Sequence, residues 1–299
     1  MKHKLPILAL AALLSAGLVA LGGALHQHGA DSASPAGTPS AASPAGNELL
    51  TRAATTVEHY STLQGRVRQK VQLFGHQVTG TGTYRQAWVA GRCRYRFDLR
   101  MATEPVASHY LAVSDGRFLW LRRQSAEQTL LRRVDLKGTG ASHNASHDAE
   151  SPVALSALGG LPGLLRRFAQ LYIFSIQDET RLGREQVPAV VLRGRWRPDM
   201  LRRIFLPKLQ GRPTKDDLAR LPEPVPHEVE IVLGRDDQLP FFPYRIRCFR
   251  TTDAGSTIIM TLEFFELARG DSISPHVFRY DPGNEEVEDA TDDYRAAWP

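Results

Sequence analysis

Few side chains in this 299-residue sequence have the types and spacing that chemistry requires. His143 and His147 lie four positions apart beside Asp148, a spacing that two metal ligands can use. They fall in a Gly/Ser/His/Asn/Asp-rich stretch, residues 137–151, without further ligands. We interpret that stretch as an exposed loop and predict no metal site. The carboxylates between positions 285 and 293 lack the spacing of a calcium-binding loop, and we interpret them as a solvated tail.

The motifs that indicate catalysis are absent from the sequence. It contains no Gly-x-Ser-x-Gly turn, no His-Glu-x-x-His helix, no P-loop and no Cys-x-x-Cys pair. Gly80-Thr-Gly82 lacks the third glycine of a dinucleotide-binding loop and lies in a predicted strand. Because no nucleophile–base set is visible, we predict no catalytic residues, no cofactor and no enzymatic activity.

The two cysteines, Cys93 and Cys248, share the apolar side of the strands in which they lie. Buried free thiols fit such positions. A disulfide between them fits as well if the protein is exported, because exported proteins fold in an oxidising compartment. The sequence does not place the two residues within bridging distance, so both alternatives stay open.

The first 46 residues differ in composition from the rest of the chain. Lys2 and Lys4 precede residues 7–25, an uncharged and almost wholly apolar run. Residues 1–25 are therefore predicted to be either a cleaved signal peptide or an uncleaved membrane anchor. Residues 26–46 are mostly Ala, Ser, Pro and Gly, which is typical of a linker. Basic residues ahead of the run place the remaining domain, residues 47–299, in the periplasm or cell envelope. If the run is retained, it anchors the domain to the inner membrane.

Alternating apolar and polar side chains dominate residues 47–299. The alternation is clearest where Arg92, Arg94, Arg96, Asp98 and Arg100 interleave with Cys93, Tyr95, Phe97, Leu99 and Met101. Short strands joined by short turns predict antiparallel pairing. The pattern predicts a helix capped by Asn47, six strands, a helix over 155–171, two strands, a short helix over 198–209 and three further strands. Gly80 and Gly82 are interpreted as a bulge or bend.

These elements predict a mainly β fold with some α, an unclosed antiparallel β-barrel (half-barrel) capped by a few helices. A curled sheet with few helices leaves a cleft between sheet and helices, the usual place for an apolar ligand. The apolar side chains of the predicted strands are either ordinary core or, taken together, the candidate lining of this ligand cleft: Val71, Leu73, Tyr95, Phe97, Leu99, Phe118, Trp120, Ile246, Leu262 and Phe264.

The charge of the chain does not point to nucleic acid. Basic residues exceed acidic ones by 37 to 32, and the net charge of +5 is spread along the sequence. Many arginines fall on the polar side of the predicted strands, which favours solvation of that face over nucleic-acid binding.

Several segments resemble the LolA and LolB family of outer-membrane lipoprotein carriers, in the larger form described as lipoprotein-sorting-like proteins. In chain order they are residues 65–74, the hairpin 113–120, residues 158–165, residues 239–246, and Phe278-Arg-Tyr-Asp-Pro-Gly283 followed by residues 287–291. The resemblance covers about residues 47–295. It implies a helix-capped open barrel whose apolar cavity holds acyl chains, passed from a membrane exporter to a receptor without covalent chemistry. No arginine of this chain is matched to the family's mechanistic arginine.

We therefore predict an exported envelope protein that binds the acyl chains of lipids or lipoproteins in an apolar cavity. A membrane exporter or receptor protein would be its further partner. The alternative is an envelope-sensing or protein-interaction module that uses the same half-barrel without lipid transport.

Overall fold

The computed structural model describes residues 45–73, 76–103, 106–137, 159–252 and 255–296. The predicted signal peptide or anchor and almost all of the linker therefore lie outside the described residues. The same is true of His143, His147 and Asp148 in the predicted loop.

The alternating segments form the strands of a single sheet. These are β1 (Thr62–Leu73), β2 (His76–Val89), β3 (Arg92–Thr103), β4 (Val106–Ser114), β5 (Phe118–Gln124), β6 (Thr129–Asp135), β7 (Tyr172–Leu182), β8 (Val187–Trp196), β9 (Glu228–Gly234), β10 (Pro243–Thr252), β11 (Gly255–Arg269) and β12 (Val287–Asp289). The helices are α1 (Ala45–Glu58), α2 (Gly160–Leu171), α3 (Pro198–Ile204), α4 (Lys215–Ala219), α5 (Thr291–Ala296) and a 3₁₀ helix (Pro275–Phe278).

The sheet has 12 strands in the order β12-β6-β5-β4-β3-β2-β1-β11-β10-β9-β8-β7. Every neighbouring pair is antiparallel except β12 with β6, which is parallel. The end strands β12 and β7 do not pair with each other, so the sheet is open. This confirms the predicted fold class, a mainly β structure with an unclosed antiparallel sheet and a few helices.

The sheet curls around its helices. Helix α2 contacts both β3 and β7, which stand seven strand positions apart. In a flat sheet seven spacings of about 4.8 Å would separate these strands by about 34 Å, whereas a helix of this length spans only about 18 Å. Curling therefore creates an inner face, covered by α1 and α2, and an outer face. Tyr95 and Leu99 of β3 belong to the inner face and Arg96 and Arg100 to the outer one.

Gly80 and Gly82 allow β2 and β3 to approach closely. The β1–β2 and β2–β3 ladders run through both glycines without a register shift, which excludes the bulge among the two predicted alternatives. A Cβ on Gly82 would lie 1.8 Å from the carbonyl oxygen of Asp98. Any larger residue would therefore force the two strands apart.

Helix α1 presents Leu50, Ala53, Ala54 and Val57 to the core at helical spacing. It begins at Ala45, two residues before the predicted cap at Asn47. The Asn47 amide instead donates to the carbonyl oxygens of Ala169 (2.9 Å) and Tyr172 (3.0 Å) and accepts from the N–H of Phe174 (2.7 Å). Asn47 thus ties α1 to the end of α2 and the start of β7.

An ion pair joins the two covering helices near the end of α1. Arg166 of α2 donates from both terminal guanidinium nitrogens to the carboxylate oxygens of Glu58, the last residue of α1. The Glu58 side chain is only 9% exposed. A buried carboxylate requires such a partner, because water no longer solvates its charge.

The outer face carries the C-terminal segment, residues 270–286, which leads into the edge strand β12. Phe278 is buried there, the ring of Tyr280 lies 5.4 Å from that of Trp120, and Arg122 binds Glu285 at 2.9 Å. Arg132 and Arg133 of β6 pair with Glu288 and Asp289 of β12. The carboxylates of Glu285, Glu288 and Asp289 are solvent-exposed, as the interpretation as a solvated tail requires, but they also pair with arginines of the sheet, which the sequence did not reveal.

One arginine fixes the proline-rich loop before β9. Arg250 of β10 donates to the carbonyl oxygens of Ala219, Leu221, Pro222, Glu223 and Val225. At the end of this loop the buried His227 accepts the N–H of Thr251 at Nδ1 over 3.0 Å. Burial, together with the charge of Arg250, lowers the pKa of His227 to about 4.

Acidification is expected to weaken the fold through His227. The folded protein keeps this imidazole neutral, while the unfolded chain protonates it below about pH 6.5. The unfolded state therefore binds more protons between pH 6.5 and 4, and stability falls as pH is lowered through this window. We expect His227 to account for a loss of about 2 kcal/mol between pH 7 and 4.5. Urea unfolding at both pH values should show a correspondingly smaller loss in His227→Asn, whose Oδ1 keeps an acceptor; an unchanged pH dependence would exclude this role.

Candidate functional site: the inner face of the sheet

The inner face brings most of the predicted lipid-binding residues together. Strand register places one set of candidates on this face, where they belong to or pack against the main hydrophobic core: Val71, Tyr95, Phe97, Leu99, Ile246, Leu262 and Phe264. Leu73 ends β1, and its side chain lies outside the described part of the chain. In this structure the candidates therefore form a packed core under α1 and α2.

Phe118 and Trp120 lie on the outer face, which corrects their assignment to the apolar cavity. In the β4–β5 ladder Trp120 stands opposite Val113, whereas Leu121 stands opposite Ala112, the partner of Phe97. Residues directly opposite each other share a face of the sheet. Both parities of β5 begin with large apolar residues, so the alternation in sequence did not reveal which one faces inward.

The environments of these two aromatic side chains agree with the outer position. The guanidinium groups of Arg117 and Arg133 lie 4.7 and 5.4 Å from the centre of the Phe118 ring. Trp120 packs against Tyr280 of the C-terminal segment, as described above. Leu119 and Leu121 are the residues that β5 contributes to the inner face instead.

Both cysteines are free thiols in the structure. Cys93 on β3 and Cys248 on β10 are four strand positions apart in the sheet. Burial raises the pKa of each thiol to about 12. The thiols are therefore protonated at neutral pH and poor nucleophiles, so of the two alternatives the structure contains the unbridged one.

A buried hydrogen-bond chain connects β2 to both covering helices. Gln86 donates from Nε2 to the carbonyl oxygen of Val57 in α1 over 2.8 Å and accepts the Tyr84 hydroxyl at Oε1 over 2.7 Å. The Tyr84 hydroxyl in turn accepts the N–H of Leu161 in α2 over 3.0 Å. Burial raises the pKa of Tyr84 well above its ordinary value, which keeps its hydroxyl a donor. Sequence reasoning missed this chain, although a glutamine on an apolar parity was its signal.

Removal of the Tyr84 hydroxyl should loosen both helices. Tyr84→Phe leaves the N–H of Leu161 and one oxygen of Gln86 without their partner, at an expected loss of about 1–3 kcal/mol in stability. Hydrogen exchange of backbone amides in α1 and α2 should accelerate, and that of β8 and β9 should change little. Exchange that rises equally in all four elements would show global destabilisation and no specific attachment of the helices.

Tyr95 brings an unpaired polar atom to the inner face. Its side chain is 1% exposed, and among the described residues its hydroxyl has no hydrogen-bond partner. Burial raises the pKa of Tyr95 well above its ordinary value, and the neighbouring Tyr110 and Tyr294 raise it further. An unpaired buried hydroxyl costs about 1–3 kcal/mol, and an acceptor atom of a bound ligand would remove that cost.

The fold and this face define an open antiparallel sheet curled around two amphipathic helices. No protein-family profile matches the chain, and no curated protein matches it either. Within the described ranges, no helix has the length and apolar character needed to cross a membrane.

Several solved structures are similar to the chain at low identity. A DUF1329 family protein from Desulfovibrio piger matches with a TM-score of 0.34 and 11% identity over 79% of this chain and 96% of its own. MucB in complex with MucA(peri) matches with a TM-score of 0.37 and 13% identity over 79% of this chain and 60% of its own. An outer membrane lipoprotein-sorting protein domain from Vibrio parahaemolyticus matches with a TM-score of 0.33 and 8% identity over 78% and 96%. Overlap at this level identifies neither a family nor an activity.

Proposed function

We propose that the protein works in the cell envelope and binds the acyl chains of lipids or lipoproteins against the inner face, without covalent chemistry. The observation that supports this most strongly is the inner face itself. Its apolar side chains run across the open sheet, and the two helices that cover it are amphipathic. An acyl chain matches such a surface, because each buried methylene group contributes about 0.8 kcal/mol.

Binding would require α1 and α2 to move away from the sheet, because the inner-face residues are buried beneath them. The two helices contact each other and β7, and α2 also touches β3. Apart from packing, the Tyr84–Gln86 chain is their described polar attachment to β2. In this proposal an acyl chain replaces contacts that the helices make in the empty protein.

The buried Tyr95 hydroxyl supplies a hydrogen-bond donor for the polar linkage of an acyl ligand. The linkage between an acyl chain and its headgroup or protein contains a carbonyl oxygen, which accepts hydrogen bonds. The buried Tyr95 hydroxyl would donate to that carbonyl while the chain lies along the neighbouring apolar residues. We propose a membrane exporter or receptor as the further partner of this exchange.

Native mass spectrometry of protein purified from its own envelope tests the proposal. A co-purifying acylated species, released when the protein is denatured, is the expected result. Protein that is recovered empty and that binds no added fatty acid or lipopeptide would overturn the proposal and favour the sensing or interaction module.

A further inference from the structure

The outer face carries a groove of about 560 Å³ across β1, β2 and β3. Four arginines line it: Arg66, Arg85, Arg96 and Arg100. Val277, from the 3₁₀ helix that contacts β3, forms part of its wall. The groove lies on the side of the sheet opposite the inner face, so it is separate from the proposed acyl site.

Two of these arginines face each other directly. Arg85 of β2 stands opposite Arg96 of β3 in the antiparallel ladder. The Cβ atoms of such a pair lie about 4.5–5.5 Å apart, and like charges in these positions repel each other. Among the described residues no ion pair compensates Arg85 or Arg100. The register therefore sets Arg85 beside Arg96, and within the described ranges only Arg96 of these two side chains has an ion pair, with Asp98.

The available carboxylate cannot balance this charge. Among the described residues that line the groove, Asp98 is the only acidic one; its distance from Arg96 is 3.5 Å, and it binds His109 at 2.8 Å. The His109 hydrogen bond, with help from Arg96, lowers the pKa of Asp98, so its single negative charge is kept at neutral pH. Arg66 forms an ion pair with Glu266 over 3.5 Å, and both side chains are more than half exposed to solvent. The groove is left with a marked excess of positive charge.

We propose that this groove binds a phosphorylated ligand. The planar guanidinium group donates two parallel hydrogen bonds to phosphate oxygens. The hydroxyls of Thr81 and Thr83 line the same groove and add donors. A single carboxylate would neutralise only one positive charge, whereas a phosphate monoester or a pyrophosphate carries about two or more. The volume exceeds that of a bare phosphate, which leaves room for the group that bears it, whether a soluble compound or a lipid headgroup.

Calorimetric titration of the full-length protein with inorganic pyrophosphate at low ionic strength tests the site. We expect saturable binding that weakens as salt is added. Arg85→Gln combined with Arg96→Gln, the double variant, should weaken binding at least tenfold. The control, Arg195→Gln combined with Arg220→Gln, removes the same two charges at positions that are 78% and 71% exposed on other elements, and should leave binding unchanged. Failure of the wild type to bind, or equal weakening in this control, would overturn the proposal.

Two further measurements complete the test. The thermal midpoint of ligand-free Arg85→Gln should equal or exceed that of the wild type, because repulsion is removed; this separates lost binding from lost folding. Flotation with phosphatidylcholine vesicles, with and without phosphatidic acid, distinguishes a lipid headgroup from a soluble phosphorylated ligand. Capture by phosphatidic acid that is lost in the double variant supports a headgroup, and pyrophosphate binding alone supports a soluble ligand. Capture that persists in the double variant, without pyrophosphate binding, contradicts the site.

Discussion

Replacement of Arg166 by methionine is expected to lower the free energy of unfolding by about 3–5 kcal/mol, because it leaves the Glu58 carboxylate buried without a partner. Methionine keeps most of the apolar stem of arginine, so the loss reports on the missing charge more than on missing volume. Urea unfolding at pH 7 measures it directly.

Two controls make this expectation specific. Adding Glu58→Leu to Arg166→Met removes both charges and should restore most of the lost stability, since a well-packed apolar pair often replaces a buried ion pair at little cost. Arg195→Met breaks a pair with Glu228 in which the arginine is 78% exposed, and should change stability by less than about 1 kcal/mol. A double variant no more stable than Arg166→Met alone would refute the assigned role of the pair.

Phe97→Ser is expected to weaken acyl binding at least tenfold, about 1.4 kcal/mol or more, whereas Phe118→Ser should leave it unchanged. Both side chains are half-buried phenylalanines on the same sheet, but Phe97 packs against Tyr110 on the inner face, at 6.1 Å between ring centres, and Phe118 lies among outer arginines. Titration with a fluorescent fatty acid gives the two affinities.

Comparison of the two variants tests which face of the sheet binds the acyl chain and separates that effect from a general loss of stability. Both remove an aromatic ring, so both should lower stability, and the unfolding free energy of each is measured alongside its affinity. Equal loss of binding in the two variants would indicate a general effect of destabilisation. Loss confined to Phe118→Ser would place the acyl site on the outer face and contradict the proposal.

Local patterning made most of the sheet predictable. The alternation in β3 separates charged from apolar residues, and the two strands predicted between the helices over 155–171 and 198–209 are present as β7 and β8. The hairpin 113–120 is also present, and it turns at Asp115-Gly116: Gly116 has a φ of 88°, and the Asp115 carboxylate accepts two backbone N–H groups at 2.7 Å. Each of these features depends on residues close together in the chain.

The errors have a common physical origin in contacts between distant segments. Trp120 could be assigned to a face only once the partners of β5 were known, and the ring that packs against it, Tyr280, lies 160 positions later in the chain. Asn47 looked like a local cap, yet its amide binds residues more than 120 positions away. The acyl site was inferred from apolar stripes, which a packed core and a ligand cavity produce equally.

The pairing of β12 with β6 bears on how the protein reaches its folded state. Arg132 and Glu288, which join these strands, are 156 positions apart in the chain. Until β12 docks, the backbone groups along the edge of β6 are free to pair with another chain, the usual route to edge-to-edge aggregation. Contacts of such long range form slowly. The short strand β12 thus protects the middle of the β6 edge, and slow docking of β12 would prolong the exposure of that edge in the newly made protein.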